Sequence, residues 1–183
     1  MIAIGCDHGG FNLKKEIIDF LEENNYEYKD FGTYSDEACD YPVYAGKVAQ
    51  AVQNGECEKG IIICGTGIGV SMTANKYKGI RAALCGDCFS ARACREHNDA
   101  NILTMGERVI GPGLAREITK IFLETPFSNE LHVSTPVTPK CEGALGAVNC
   151  SQRFGSVIAS PKVRPRGIAS GTTSAFSALY IRI

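Results

Sequence analysis

The run Gly60-Ile61-Ile62-Ile63-Cys64 limits the fold more than any other segment of the chain. Three consecutive β-branched residues are stiff at χ1 and favour an extended backbone. The run does not alternate with polar residues, so it reads as a strand covered on both faces. It leads directly into Gly65-Thr66-Gly67-Ile68-Gly69, a glycine-rich turn, and a helical pattern then continues to about Tyr77. A buried strand passing through a tight turn into a helix is the repeating unit of a parallel α/β sheet.

The same unit recurs along the first two thirds of the sequence. Ile2 to Cys6 is a short apolar strand, ending in the turn Asp7-His8-Gly9-Gly10. Phe11 to Glu23 carries Leu13, Ile17, Ile18, Phe20 and Leu21 at helical spacing. Tyr26 to Phe31 reads as a second strand and Gly32 to Asp40 as a polar loop. Tyr41-Pro42 opens a helix, with proline where its missing N–H does least harm, and Val43, Ala45, Val48, Ala49 and Val52 mark its buried stripe. Arg81 to Cys85, Asp87 to His97, Ile102 to Met105 and Gly111 to Leu123 then read as strand, helix, strand and helix. Five βα units predict a five-stranded parallel sheet with helices on both faces, in an α/β fold. Ligands of such sheets sit at the carboxyl ends of the strands.

Composition excludes several functions. With 19 Lys+Arg against 20 Asp+Glu, the net charge of −1 lacks the basic excess of a general nucleic-acid binder. No apolar run approaches the roughly 20 residues of a membrane helix. The N-terminus has no basic segment and meets Asp7 too early for a signal peptide, so a cytoplasmic location is expected. The nine cysteines are odd in number in a chain of 183 residues, so buried thiols are expected rather than a disulfide scaffold. Cys85-Gly86-Asp87-Cys88 has CxxC spacing, but no second pair or spaced histidines complete a zinc site. No metal and no cofactor is expected.

The residues able to do chemistry cluster around the turns. Cys64 ends the buried strand and faces a helix start and several backbone N–H groups, a setting that favours the proton-accepting form of a thiol. Its alternative reading is a core cysteine. Gly65 to Gly69 lacks the lysine of a P-loop, and its glycine spacing differs from the dinucleotide G-x-G-x-x-G. Its amides can instead cradle a phosphate or an enediolate oxygen. His8 and His97, two of only three histidines, stand in turn-like positions and are candidate acids near neutral pH. Arg108, after the fifth strand, can bind phosphate. Tyr41 can wall the site or simply pack.

Together these residues resemble type B ribose-5-phosphate isomerase. The resemblance is carried by Gly5-Cys6-Asp7-His8-Gly9-Gly10, Asp40-Tyr41-Pro42, Ile63-Cys64-Gly65-Thr66-Gly67-Ile68-Gly69, Ala74-Asn75-Lys76, Gly79-Ile80-Arg81-Ala82, Glu96-His97-Asn98-Asp99-Ala100-Asn101 and Gly106-Glu107-Arg108-Val109-Ile110-Gly111. The wider family includes the subunits of galactose-6-phosphate isomerase. The resemblance implies a Rossmann-like three-layer α/β/α sandwich. It also implies a metal-independent aldose–ketose isomerase of small sugar phosphates, a homodimer or homotetramer with sites between subunits. By the same resemblance Cys64 is the base and His97 the ring-opening acid. Asp7, His8, Tyr41, Asn98 and Arg108 contact substrate, and Gly65, Thr66, Gly67, Ile68 and Gly69 hold the enediolate.

The match spans residues 1–127, an isomerase domain; residues 128–183 form a divergent C-terminal tail. Where the family carries phosphate-gripping arginines, this chain has Leu131 and Thr135 flanking the aligned His132. Arg153, Arg164 or Arg166 are candidate substitutes. Three functions are therefore carried forward. They are a ribose 5-phosphate isomerase, a galactose-6-phosphate isomerase subunit, and a sugar-phosphate binder without turnover. A nucleotide-binding module is a distant fourth.

Overall fold

The computed structural model describes residues 1–128. The tail beyond Ser128, with Leu131, His132, Thr135, Arg153, Arg164 and Arg166, lies outside the described residues. Five strands form one parallel sheet: β1 (Ile2–Cys6), β2 (Tyr28–Asp30), β3 (Lys59–Cys64), β4 (Ala82–Leu84) and β5 (Ile102–Gly106). Their order in space is β2-β1-β3-β5-β4. Five helices connect and follow them: α1 (Phe11–Glu23), α2 (Tyr41–Gln53), α3 (Ile68–Ala74), α4 (Cys88–Glu96) and α5 (Pro112–Glu124), with a 3₁₀ turn at His8–Gly10 before α1.

The triple isoleucine lies in the central strand, and all three side chains are fully buried. Ile61 and Ile63 face a core built with α1, α4 and α5; Ile62 and Cys64 face a second core built with α2 and α3. Burial of each such side chain contributes about 1.5–3 kcal/mol, which anchors β3 between two helical layers. The helices divide by direction of travel. The steps β2 to β3 and β3 to β4 run one way through the sheet and use α2 and α3. The steps β1 to β2 and β4 to β5 run the other way and use α1 and α4. Crossovers of a single hand produce that division.

Three elements differ in detail from the expected pattern. β2 shrinks to Tyr28–Asp30 at the sheet edge, where its side chains are only partly covered. Val43 is exposed, although the rest of the α2 stripe is covered. It stands two residues, about 200° of helix, from buried Ala45 and so falls off the stripe. α3 stops at Ala74, where the Asn75 side-chain amide donates back to the Ser71 carbonyl at 3.0 Å and also reaches across to β4. The Asn75 amide donates to the Ala82 carbonyl at 2.8 Å, and its oxygen accepts the Ala82 N–H at 2.9 Å. The helix end is thereby tied to the start of β4.

The loop after β2 is drawn under the sheet edge by a buried ion pair. Lys14 of α1 donates to Asp30 at 2.6 Å and to the Thr33 carbonyl at 2.9 Å. A buried ammonium needs such partners to offset its lost hydration. The same loop passes so close to β1 that a Cβ on Gly32 would collide with the Cys6 amide and lie 2.8 Å from Gly5 Cα. Gly32→Ala should therefore destabilise the fold by about 1–3 kcal/mol. The measurement is a urea melt, with the midpoint falling and the slope unchanged. An unmoved midpoint would show that the loop relaxes without strain.

Candidate functional site

In a parallel sheet every strand-to-helix loop emerges at one edge. Here that edge gathers Asp7 and His8 from β1, Cys64 to Gly69 from β3, and Gly106 to Arg108 from β5. The registers place Cys64 beside Gly106, and Cys6 beside Ile63. The β3 and β5 loops are bound through their main chains: Glu107 N–H donates to the Cys64 carbonyl at 2.9 Å, and Arg108 N–H to the Gly65 carbonyl at 3.1 Å.

Two glycines let these loops interlock. Gly67 has φ +78°, and a Cβ there would stand 2.9 Å from the Met105 carbonyl carbon. A Cβ on Gly106 would stand 2.6 Å from the Thr66 carbonyl carbon. The left-handed turn at Gly67 aims its N–H back at Cys64, donating to Sγ at 3.0 Å. A negative sulfur accepts such a bond more strongly than a neutral thiol does. The Cys64 side chain is buried, but it lies at the last position of its strand, where the chain opens to the edge.

Two other cysteines near this edge are unsuited to accept and release protons. Burial pushes the Cys6 thiol up to about 12. A hydrogen bond to Cys94, and then burial, raise the Cys85 thiol. Cys85 Sγ lies 3.8 Å from Cys94 Sγ, so the partner across the core is Cys94. All seven cysteines among the described residues are free thiols. No group of three His, Cys, Asp or Glu gathers as a metal cluster among the described residues.

Around Cys64 stand the groups expected to hold substrate. Arg108 lies along Gly65: a Cβ on that glycine would be 3.5 Å from the arginine Nε. Asp7 is buried and accepts the Gly9 N–H at 2.9 Å. Burial pushes its carboxyl above the ordinary range, opposed by the Gly9 N–H, His8 and Arg108. His8 Nδ1 accepts the Cys39 N–H at 3.2 Å, which leaves the proton of a neutral ring on Nε2. The Tyr41 ring covers Gly69, whose Cβ would meet it at 3.0 Å. Thr66 Oγ1 accepts the Ile68 N–H at 3.4 Å and stiffens the turn.

His97 and Asn98 stand elsewhere. They follow α4, which runs from the carboxyl end of β4 back to the amino end of β5. The Asn98 carbonyl accepts from Arg81, which precedes β4, and the nearby Asn101 carbonyl accepts the Gly60 N–H. Gly60 lies four strand residues below Cys64, about 13 Å at the usual rise per residue. One subunit therefore does not bring His97 to Cys64. Glu96 Oε2 lies 3.9 Å from His97 Nε2.

One residue at the edge escaped the sequence reading. Glu107 accepts the Leu13 N–H at 2.9 Å and the Asn12 amide at 3.2 Å. Glu107 stands in the Gly106–Gly111 motif, and the signal for its capping role is a deficit: α1 begins at Gly10-Phe11 without an acid or hydroxyl of its own.

A family model described as Ribose/Galactose Isomerase matches residues 2–136. The chain is 50% identical over 131 residues to ribose-5-phosphate isomerase B of Escherichia coli, covering 72% of this chain and 88% of the relative. It is 41% identical over 127 residues to galactose-6-phosphate isomerase subunit LacB of Clostridium acetobutylicum, covering 69% of this chain and 73% of the relative. The solved ribose-5-phosphate isomerase B of Clostridium thermocellum superposes with a TM-score of 0.71 at 56% identity, covering 72% of this chain and 88% of that one. No helix among the described residues is long and apolar enough to cross a membrane.

The raised carboxyl of Asp7 makes it a source of pH-dependent instability. Its proton is held more tightly in the folded state, so its contribution to stability falls as pH rises from the ordinary carboxyl value through the raised one. Asp7→Asn keeps an oxygen for the Gly9 N–H and removes the buried charge. The variant should melt at higher urea than the parent at pH 7, with the gain vanishing below about pH 4, where the parent is protonated in both states. A gain that persisted at pH 3 would assign the effect to something other than ionisation.

Proposed function

The chain belongs to the ribose/galactose isomerase family, and we propose that it interconverts ribose 5-phosphate and ribulose 5-phosphate through an enediolate. The observation that carries this reading is the Cys64 sulfur. It accepts the Gly67 N–H at 3.0 Å inside a glycine turn, with Asp7, His8 and Arg108 around the same edge.

In the proposed reaction the Cys64 thiolate removes the proton on C2 of the open-chain aldose. The electron pair forms the C1–C2 double bond, and charge moves to the former carbonyl oxygen at C1. In this scheme backbone amides of residues 65–69, apart from the Gly67 N–H already given to the sulfur, stabilise that oxygen, which is the largest contribution available to such a site. The sulfur then returns its proton to C1 while the C2-hydroxyl proton passes to the C1 oxygen, leaving the ketose and the thiolate. Arg108 and the His8 ring bind the phosphate end, and Asp7 accepts from substrate hydroxyls. Tyr41 walls the side over Gly69. No step in this scheme uses a metal or cofactor.

The ring-opening acid comes from a second copy in this reading. His97 and Asn98 stand at the far edge of their own sheet, so a two-fold partner supplies them. Beside the Cys64 turn the surface is apolar and exposed: Ile68 and Met72 lie one helical turn apart, and Leu84 abuts Gly67. Such a face suits a second subunit. A six-carbon substrate is the second reading, favoured by the likeness to the galactose-6-phosphate isomerase subunit. Turnover of ribose 5-phosphate measured against galactose 6-phosphate decides between them. Saturable binding of either sugar without turnover would instead support the non-catalytic reading.

Subunit complementation tests the mechanism and its geometry together. Cys64→Ala and His97→Asn should each lower turnover on the order of 100-fold or more while the protein stays folded. Unfolded and refolded together in equal amounts, they should recover about a quarter of wild-type activity, because half the dimers then hold one intact site. Near-normal turnover in Cys64→Ala would remove the base. Failure of the mixture to recover activity would place both residues in one subunit's site or assign His97 another role.

A further inference from the structure

The first turn of α1 has no acid and no side-chain cap of its own; its N-cap residue is Gly10. Unpaired N–H groups at a helix start need acceptors, and a negative charge there is favoured. That acceptor arrives from the end of β5, two strands across the sheet from β1. The Glu107 carboxylate takes the Leu13 N–H on one oxygen at 2.9 Å and the Asn12 amide on the other at 3.2 Å. Through its main chain the same residue donates to the Cys64 carbonyl at 2.9 Å. The next residue is Arg108, whose side chain runs along Gly65. One residue thus ties together the ends of β3 and β5 and the helix that follows the Asp7–His8 turn.

We propose that Glu107 is a positioning residue for phosphate binding: its carboxylate caps α1 and so holds Arg108 at a fixed distance from the Asp7–His8 turn. This rests on the phosphate-binding role given above to Arg108. The main-chain bonds alone fix the β5 loop against β3. The carboxylate fixes it against β1's side, and the substrate's phosphate end needs both. A residue at 107 without a side-chain acceptor would leave the α1 start uncapped and Arg108 tethered on one side only.

The test compares the full chain as wild type, Glu107→Ala, Glu107→Gln, Arg108→Ala and the Glu107→Ala/Arg108→Ala double variant, with ribose 5-phosphate as substrate. Glu107→Ala should raise KM about tenfold and leave kcat within about twofold, because a small displacement of a charged contact weakens binding without removing the base. Glu107→Gln keeps an acceptor for the Leu13 N–H and should restore most of the affinity. In the Arg108→Ala background, Glu107→Ala should change KM no further, since the group it positions is gone.

Independent, multiplying losses in the two backgrounds would overturn the proposal, as would a lowered Tm with KM unmoved; Glu107 would then only stabilise the helix. An Arg108→Ala variant with unchanged KM also overturns it, while loss of turnover in Cys64→Ala would leave the isomerase reading standing. If the wild type does not turn over ribose 5-phosphate, the isomerase reading fails separately. The same cycle is then read as the affinity for inorganic phosphate by calorimetry, where coupling between the two variants sustains the proposal and additivity ends it.

Discussion

All five strands run in one direction, and the site follows from that constraint. Parallel pairing sends every strand-to-helix loop to one edge and every helix-to-strand loop to the other. Asp7, Cys64 and Arg108 are separated by dozens of residues in the chain and meet because each follows a strand end. The same rule sends His97 and Asn98 to the opposite edge, because they follow a helix. The pairing of direction and location is enforced by β3, whose three isoleucines are buried on alternate faces. Reversing or shifting that strand would move Ile62 and Cys64 into the wrong core.

Close approach of backbones is the second requirement, and it limits which residues the edge tolerates. Gly67 and Gly106 let the β3 and β5 loops share space that a single methyl group would fill. Polar contacts then hold the loops where the glycines let them go: the Glu107 and Arg108 amides on β3, and the Glu107 carboxylate on α1. Main-chain bonds join the β3 and β5 loops directly. Side chains such as Arg108 and Tyr41 reach over a platform already set by backbone.

Much of this was legible in the sequence because it is periodic or local. The isoleucine run, the helical stripe of α1 and the glycine turn each announce one element, and their order announces the sheet. What was not legible depends on partners far apart in the chain. Glu107 caps a helix 94 positions away, and its own neighbours give no hint of that. Asn75 follows the end of α3 and binds Ala82, and the helix is shorter than its pattern of residues suggests. Val43 looked like part of a stripe because valine is apolar, although its angle about the helix axis excludes it. His97 was recognisable as a candidate acid, and its distance from Cys64 follows only once the strand directions are known.

The strand order has a consequence for how the chain comes together during synthesis. β4 does not pair with β3; it joins the sheet only through β5, which is made later. A chain leaving the ribosome can pair β1, β2 and β3 as they appear. The free edge of β3 and the whole of β4 then wait for Ile102 to Gly106 to slot between them. Until that happens the triple isoleucine is open along one side and still lacks α5 on one face, a template for any other extended segment. The last strand to emerge is therefore the one that closes the sheet, and the vulnerable interval ends only when it docks.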